Sequence, residues 1–363
     1  MKYQVFARKW RPKNFNEVIG QKYIIKAISN SLKLNRIHQA WILYGTRGIG
    51  KTTIARILSK CLNCKKKITD IPCQKCNSCL EIEKNCSPDL IEIDAASKTK
   101  IEDIKELLEN SKYPPIKERF KIYLIDEIHM LSRYSFNALL KTLEEPPKHV
   151  KFILATTNIE KLPKTIISRC LRLNLTTISE KKIENNIKKI LKKEKINFEK
   201  NTLNLISLSA DGSMRDALSI TEQAISLGNG KIKNSYVKKM LGIFKYKNFI
   251  NLLQSIFDQN IKKILFFSEK ILSLDVEPDR ILVELLRLLH YLHILKIYSI
   301  QWKSKIYNNQ QKKILKKISK KNSYSDIKNY YSILLNGRKN INLSPSKKIG
   351  MELALLNTLN IKK

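Results

Sequence analysis

No apolar h-region follows the opening MKYQVFARKW, and nowhere do roughly 18 uncharged apolar residues run together. The first absence excludes an ordinary secretory leader and the second a membrane-spanning helix, so the expected location is the cytoplasm. Internal repeats and low-complexity tracts are also missing, and lysine-rich patches such as QQKKILKKISKK read as solvated helix faces. Acidic residues are scarce: 32 Asp and Glu face 69 Lys and Arg, a formal net charge of +37. That imbalance points to an anionic partner such as nucleic acid. Lys, Asn and Ile are abundant everywhere, as in a chain encoded by an A+T-rich genome, so charge alone leaves function and genome composition as open alternatives.

Apolar material is not lacking. At 363 residues and 43% hydrophobic, the chain is long enough for two or three domains. Residues 1 to 178 alternate apolar runs (AWILYG, DLIEIDAA, FKIYLIDE, VKFILATT) with helical patterns, the rhythm of an α/β domain with a parallel sheet. From 179 to 242 the pattern is helical: Ile183, Ile187, Ile190 and Leu191 share one face, and Gly212 with Ser213 stops one helix and caps the next. This predicts a small helical lid. Residues 243 to 363 read as all-helical without a motif of their own. In ILVELLRLLHYLHILKIYSI the polar residues Glu284, Arg287, His290, His293 and Lys296 come every third position and drift round the helix. Cover on several sides is expected, in a domain for oligomer packing or in an ordinary core.

Gly45, Thr46, Arg47, Gly48, Ile49, Gly50, Lys51 and Thr52 fit G-x-x-x-x-G-K-[ST] between an expected strand and an expected helix, with Thr53 next in line. Glycines let backbone N–H groups converge on phosphates at a helix N-terminus, Lys51 would reach the β and γ oxygens, and Thr52 would hold Mg²⁺. The strand FKIYLID ends in Asp126 and Glu127, the first to complete the Mg²⁺ shell, the second to orient and deprotonate an attacking water. ILATTN places Thr156 and Thr157 beside the γ-phosphate if its strand neighbours that of Asp126; as mere strand caps they would have no such role. Arg215, in GSMRDA, starts a lid helix from which it can reach back over a nucleotide. Arg169, in ISRC, closes the α/β domain and is better placed to serve a neighbouring subunit, although a lone arginine is often just a surface charge.

Cys64, Cys73, Cys76 and Cys79 are spaced C-x₈-C-x₂-C-x₂-C with no histidine nearby. Four thiolates suit tetrahedral zinc; an iron–sulfur cluster fits the same spacing, and a redox pair lacks its usual thioredoxin-like setting. Lys65, Lys66, Lys67 and Lys75 would offset the charge, while Cys61, Cys86 and Cys170 fall outside the spacing and read as simple buried or partly buried thiols. Connections between a helix and the next strand usually take about 2–6 residues. The insertion here, at about 61–89, is far longer, is expected not to bury a core of its own, and would draw folding energy from a structural metal clip. In ASKTKIEDIK, Lys98, Thr99, Lys100 and Lys105 lie at or near a helix start just beyond a strand, either a DNA phosphate binder or a plain solvated helix start.

These segments, with YQVFARKWRPKNFNEVIGQ, IDAASKTKIEDI and YLIDEIHMLSRYSFNALLKTLEEPP, resemble one family across essentially the whole chain: the gamma/tau subunits of the bacterial DNA polymerase III clamp loader, which are AAA+ ATPases. The C-terminal part matches mainly in position and in GRKNINLSPSKKIGMELALL. The resemblance implies an α/β P-loop AAA+ ATPase domain at 1–178 with a parallel sheet and a zinc-binding insertion, a helical lid domain at 179–242, and an all-helical collar domain at 243–363. It implies assembly of several copies with delta-type subunits into a spiral. ATP would open a ring-shaped sliding clamp, primer-template DNA would trigger hydrolysis and release, and the polymerase core would be a further partner. ARKWRP borders the adenine in the family, so Arg11 and Pro12 carry over as nucleotide contacts. At 363 residues the chain resembles the shorter gamma form, without the extension by which tau contacts polymerase and helicase. Membership of a DNA-directed DNA polymerase attracts nucleotidyltransferase and transferase labels, yet the sequence shows no polymerase site. A branch-migration helicase would share the ATP chemistry but carry a winged helix in place of the collar. A silent scaffold would keep the fold alone, against which intact Lys51, Asp126 and Glu127 argue.

Overall fold

The structure, a computed structural model, describes residues 4–97, 101–199, 201–241, 246–274, 276–297 and 309–362. The chain divides into two compact units, Met1–Val237 and Lys238–Lys363.

Among the described residues of the first unit, five strands form one parallel sheet: β1 (Ala40–Tyr44), β2 (Leu90–Asp94), β3 (Lys121–Asp126), β4 (Val150–Thr156) and β5 (Leu171–Asn174), in the order β2-β3-β4-β1-β5. The inner strands β3, β4 and β1 are largely apolar and buried because both faces of the sheet are covered there, whereas the edge strand β5 (LRLN) buries only Leu173. Side chains alternate between the faces with period two. Trp41, Leu43, Ile122, Leu124 and Ile153 turn to one core, shared with Ile28 and Leu32 of the helix Lys22–Lys33 and with Ile54, Ile57 and Leu58 of the helix Lys51–Asn63. Ile42, Tyr123, Ile125, Phe152 and Leu154 turn to the other, under Phe136, Leu139 and Leu143 of the helix Arg133–Glu144. Each fully buried Leu or Ile is worth about 1.5–3 kcal/mol.

The order matters for chemistry. Strands β3 and β4 are neighbours, and β4 also pairs with β1, so the ends carrying Asp126, Thr157 and Gly45 converge on one edge of the sheet. Helices Glu180–Lys193, Thr202–Ser209 and Met214–Leu227 complete this part of the chain. Ile183, Ile187, Ile190 and Leu191 are buried on one face, and Ser213 accepts a hydrogen bond from the Asp216 N–H (3.2 Å) as the predicted cap.

The second unit is helical throughout its described residues. Its long helix Pro278–Ile297 buries Ile281, Leu282, Leu285, Leu288, Leu289 and Leu292, and even Glu284, which pairs with Arg287 at 2.9 Å. Cover on several sides is thus borne out. Gly337 lets the helices Tyr324–Asn340 and Lys347–Leu356 touch, since a Cβ there would lie 2.3 Å from the Cβ of Ala354.

Candidate active site and cysteine cluster

The helix Lys51–Asn63 opens from Gly50, in left-handed conformation with φ +106°, so that its first N–H groups face an open cleft of about 1750 Å³. Arg11, Pro12, Thr46, Arg47, Gly48, Ile49, Gly50, Lys51, Thr52, Thr53, Asp126, Glu127, Thr157 and Arg215 all line it. Lys51, only 6% exposed, donates to the carbonyls of Gly45 (2.9 Å) and Thr46 (3.1 Å). Burial lowers its ammonium below the usual lysine range, while Glu127 and Asp126 oppose that shift. The Thr52 hydroxyl donates to Asp126 Oδ2 at 2.7 Å, joining the loop helix to the end of β3. A hydroxyl and a carboxylate so placed suit a hard divalent cation carried on a polyphosphate.

Glu127 sits in the left-handed region at φ +49°. Its Oε2 accepts from the Thr157 N–H (3.1 Å) and the Thr157 hydroxyl (2.9 Å). Thr156 corrects the reading made for the pair. It is fully buried and lies off the cleft, its hydroxyl donating to the Asn158 carbonyl at 3.1 Å and accepting from the Asn158 N–H at 3.1 Å. Adjacent strand residues point to opposite faces, so only one of the two threonines can reach the cleft.

Above the loop, the Arg215 N–H donates to the Gly48 carbonyl at 3.3 Å. A Cβ on Gly48, itself at φ +77°, would lie 1.9 Å from Ser213 Oγ, so a side chain there would clash with the turn before Arg215. Burial lowers the Arg11 guanidinium, and nearby Arg56, Arg215 and Arg8 push the same way against the pull of Glu92. Mutually repelling arginines beside a buried lysine make a site that an anion would relieve.

Arg169 does not line the cleft. It pairs with Glu144, at the end of the helix Arg133–Glu144, and donates to the Thr165 carbonyl at 2.7 Å. Lys98, Thr99 and Lys100 lie outside the described residues, as does the side chain of Lys105.

At the far end of the loop helix, the Sγ atoms of Cys64, Cys73, Cys76 and Cys79 all lie within 4.8 Å of one another. Tetrahedral zinc with bonds of about 2.3 Å would set sulfurs about 3.8 Å apart, so the cluster fits zinc. Backbone N–H groups of Lys75 and Cys76 hold the Cys73 thiol down to about 6, whereas burial pushes Cys79 up. Cys61 within the helix and Cys170 are buried thiols as expected, whereas Cys86, just past the end of the helix Asn77–Lys84, is exposed against the expectation of burial. Among the described residues the insertion forms no hydrophobic cluster of its own but contributes to the domain core. It contains the helix Asn77–Lys84, whose Ile82 is fully buried in the core shared with the loop helix, and Lys60 reaches Glu83 at 3.1 Å. Eight residues of helix suffice to lend one aliphatic side chain to a core already present.

Sequence reasoning missed several cleft residues. Arg56 lies four positions past Thr52, a helical spacing that could have revealed it, and it pairs with Glu92 at 2.6 Å. Trp10 carried no separate signal, but its indole N–H donates to Glu194 (2.8 Å), tying the N-terminal segment to the end of the helix Glu180–Lys193. His129, adjacent to the acid pair in DEIHM, touches both Glu127 and Thr156.

Three family models match consecutive parts of the chain: "DNA polymerase III, delta subunit" at residues 20–179, "DNA polymerase III clamp loader subunit, ATPase lid domain" at 182–230, and "DNA polymerase III subunits gamma and tau domain III" at 232–363. DNA polymerase III subunit gamma of Buchnera aphidicola subsp. Acyrthosiphon pisum is 51% identical over 360 residues, covering 99% of both chains. The tau subunit of Escherichia coli is 45% identical over 99% of this chain and 56% of its own length. A solved point mutant of Thermotoga maritima RuvB shares the fold, at 20% identity and TM-score 0.50 over 68% of this chain and 79% of its own. None of these matches assigns nucleotidyl transfer to this chain.

Proposed function

The chain belongs to the gamma/tau family of DNA polymerase III clamp-loader subunits, and on that premise we propose that it is an ATPase that loads a ring-shaped sliding clamp onto primed DNA in replication. The observation carrying the ATPase reading is the junction of Thr52 with Asp126 at 2.7 Å, beside a Glu127 held by Thr157. In this reading Lys51, Arg47 and the loop N–H groups bind the phosphates, Arg11 and Pro12 border the base, and Thr52 and Asp126 hold Mg²⁺, which offsets phosphate charge. Glu127 takes the proton of the attacking water, with Thr157 and Arg215 at the γ-phosphate. Zinc on the four cysteines is structural.

Arg169, placed outside its own cleft, serves the nucleotide of a neighbouring copy and releases Glu144 to do so. Residues 1–178, 179–242 and 243–363 act as ATPase domain, lid and collar. Delta-type subunits, the clamp, primer-template DNA and the polymerase core are the partners, DNA meeting Lys98, Thr99, Lys100 and Lys105, all in the cytoplasm.

The test is Glu127→Gln in the assembled loader. ATP affinity should hold, hydrolysis should fall by about 10²–10⁴, and clamp-bound complexes should accumulate; turnover at the parental rate would sink the assignment. In the same assay Arg169→Ala assemblies should lose DNA-triggered hydrolysis and regain part of it when mixed with Lys51→Ala subunits. Action in trans is refuted if no mixture that assembles regains activity.

A further inference from the structure

The geometry points to His129 as the positioning residue that keeps Glu127 in place once Thr157 turns to the nucleotide. This rests on the reading of Glu127 as the residue that activates water.

His129 follows β3 in the short turn Ile128–Met130, and its Nδ1 lies 3.0 Å from the Thr156 hydroxyl and 3.3 Å from Glu127 Oε2. The tautomer follows from the neighbours. The Thr156 hydroxyl proton goes to the Asn158 carbonyl, so toward His129 this oxygen can only accept. Nδ1 must therefore carry a proton, and the Glu127 carboxylate 3.3 Å away lies within its electrostatic reach. Buried Thr156 thus serves Glu127 indirectly, by fixing the tautomer and orientation of the ring that touches it.

Oε2 of Glu127 accepts from the Thr157 N–H and the Thr157 hydroxyl, and His129 Nδ1 lies 3.3 Å from the same oxygen. A hydroxyl has one proton. If Thr157 donates it to a γ-phosphate oxygen, Glu127 loses one donor and retains the Thr157 N–H and His129. The imidazole belongs to the β3 turn and is anchored through Thr156 to β4, so it does not move with the nucleotide. It therefore steadies the carboxylate in the state in which it works.

The experiment compares His129→Phe, His129→Gln and His129→Asn in the assembled loader, with Glu127→Gln in parallel. Phe keeps ring volume without a donor, Gln offers its amide where Nε2 sits, and Asn offers its amide where Nδ1 sits. Maximal ATP turnover should fall about tenfold or more in the Phe and Gln variants, with KM and the affinity for ATP within about twofold, and Asn should recover most of it. Parental turnover in the Phe variant, or an Asn variant as slow as Gln, overturns the inference. Should the Phe variant melt below the assay temperature, the Asn and Gln pair decides alone. A Glu127→Gln protein that still hydrolyses ATP sinks the underlying reading instead, so the two failures are distinct.

Discussion

The helix Lys51–Asn63 has two differently finished ends. At its start, Gly50 leaves the first N–H groups pointing into the cleft, beside the bonds of Lys51 to loop carbonyls and of Thr52 to Asp126. At its other end little is left for a ligand. Arg119 donates to the carbonyls of Leu62 and Cys64, each at 3.2 Å, and the Asn63 amide exchanges two bonds with the Phe120 backbone, at 2.9 and 3.0 Å. A guanidinium at a helix C-terminus also complements the negative end of the helix dipole. One end keeps donors turned to the cleft; the other satisfies its acceptors within the chain and places Cys64 in the four-cysteine cluster. The contrast teaches that a binding end and a structural end differ in what they leave unpaired.

The strongest way to break the contrast is Cys76→Ser. Loss of the metal should release residues 64–89 at a cost on the order of 3 kcal/mol or more, visible as roughly hundredfold faster proteolysis of that segment, while ATP affinity stays within about threefold. One zinc per parental chain by elemental analysis is the companion result; iron with visible absorbance would refute zinc. Next, Lys51→Ala should weaken ATP binding about 10- to 100-fold, the worth of a charge-assisted hydrogen bond. Zinc content and the melting temperature should hold, because Nζ binds loop carbonyls and not core atoms. Calorimetric titration with ATP checks this, and undiminished affinity rejects the role.

The smallest effect sharpens the structural end. Lys151, 4% exposed, lies with Nζ 5.1 Å from the ring of Phe120, whose backbone holds Asn63. Burial pushes its ammonium down to about 8. The folded value lies below that of the unfolded chain, so folding expels a proton and stability rises as pH climbs from about 8 toward about 10.4. Below that window the fold carries the cost of a buried charge. Lys151→Met removes the buried charge together with its hydrogen bond to Gln39, so the variant's denaturation midpoint should rise less than the parent's between pH 8 and pH 10. Parallel pH profiles for the two proteins would show the burial cost to be absent.

The phosphate loop, the parallel sheet and the cysteine spacing were legible because each depends on neighbours a few positions apart: period two in a strand, 3.6 in a helix, a glycine where φ is positive. What was illegible depends on register between distant segments. Thr156 and Thr157 are equivalent on paper, and the sheet alone turns one inward and the other to the cleft. Ile82 belongs to an insertion expected to have no core of its own, and only the helix Asn77–Lys84 brings it into the core that holds Leu58 and Leu62.

The amino-acid order by itself therefore determined the elements and the chemical kinds of residue: a phosphate-loop motif, an acid pair after a strand, four cysteines at metal-ligand spacing. Tertiary structure alone decided which atoms meet. Arg11, Arg56 and Arg215 crowd one cleft from positions up to 204 residues apart, His129 finds Glu127 and Thr156 together, and Arg169 turns to Glu144 outside the cleft. Local conformation is set by short-range sterics and hydrogen bonding, whereas meetings at a distance are set by strand order and by which face of each strand a side chain leaves from.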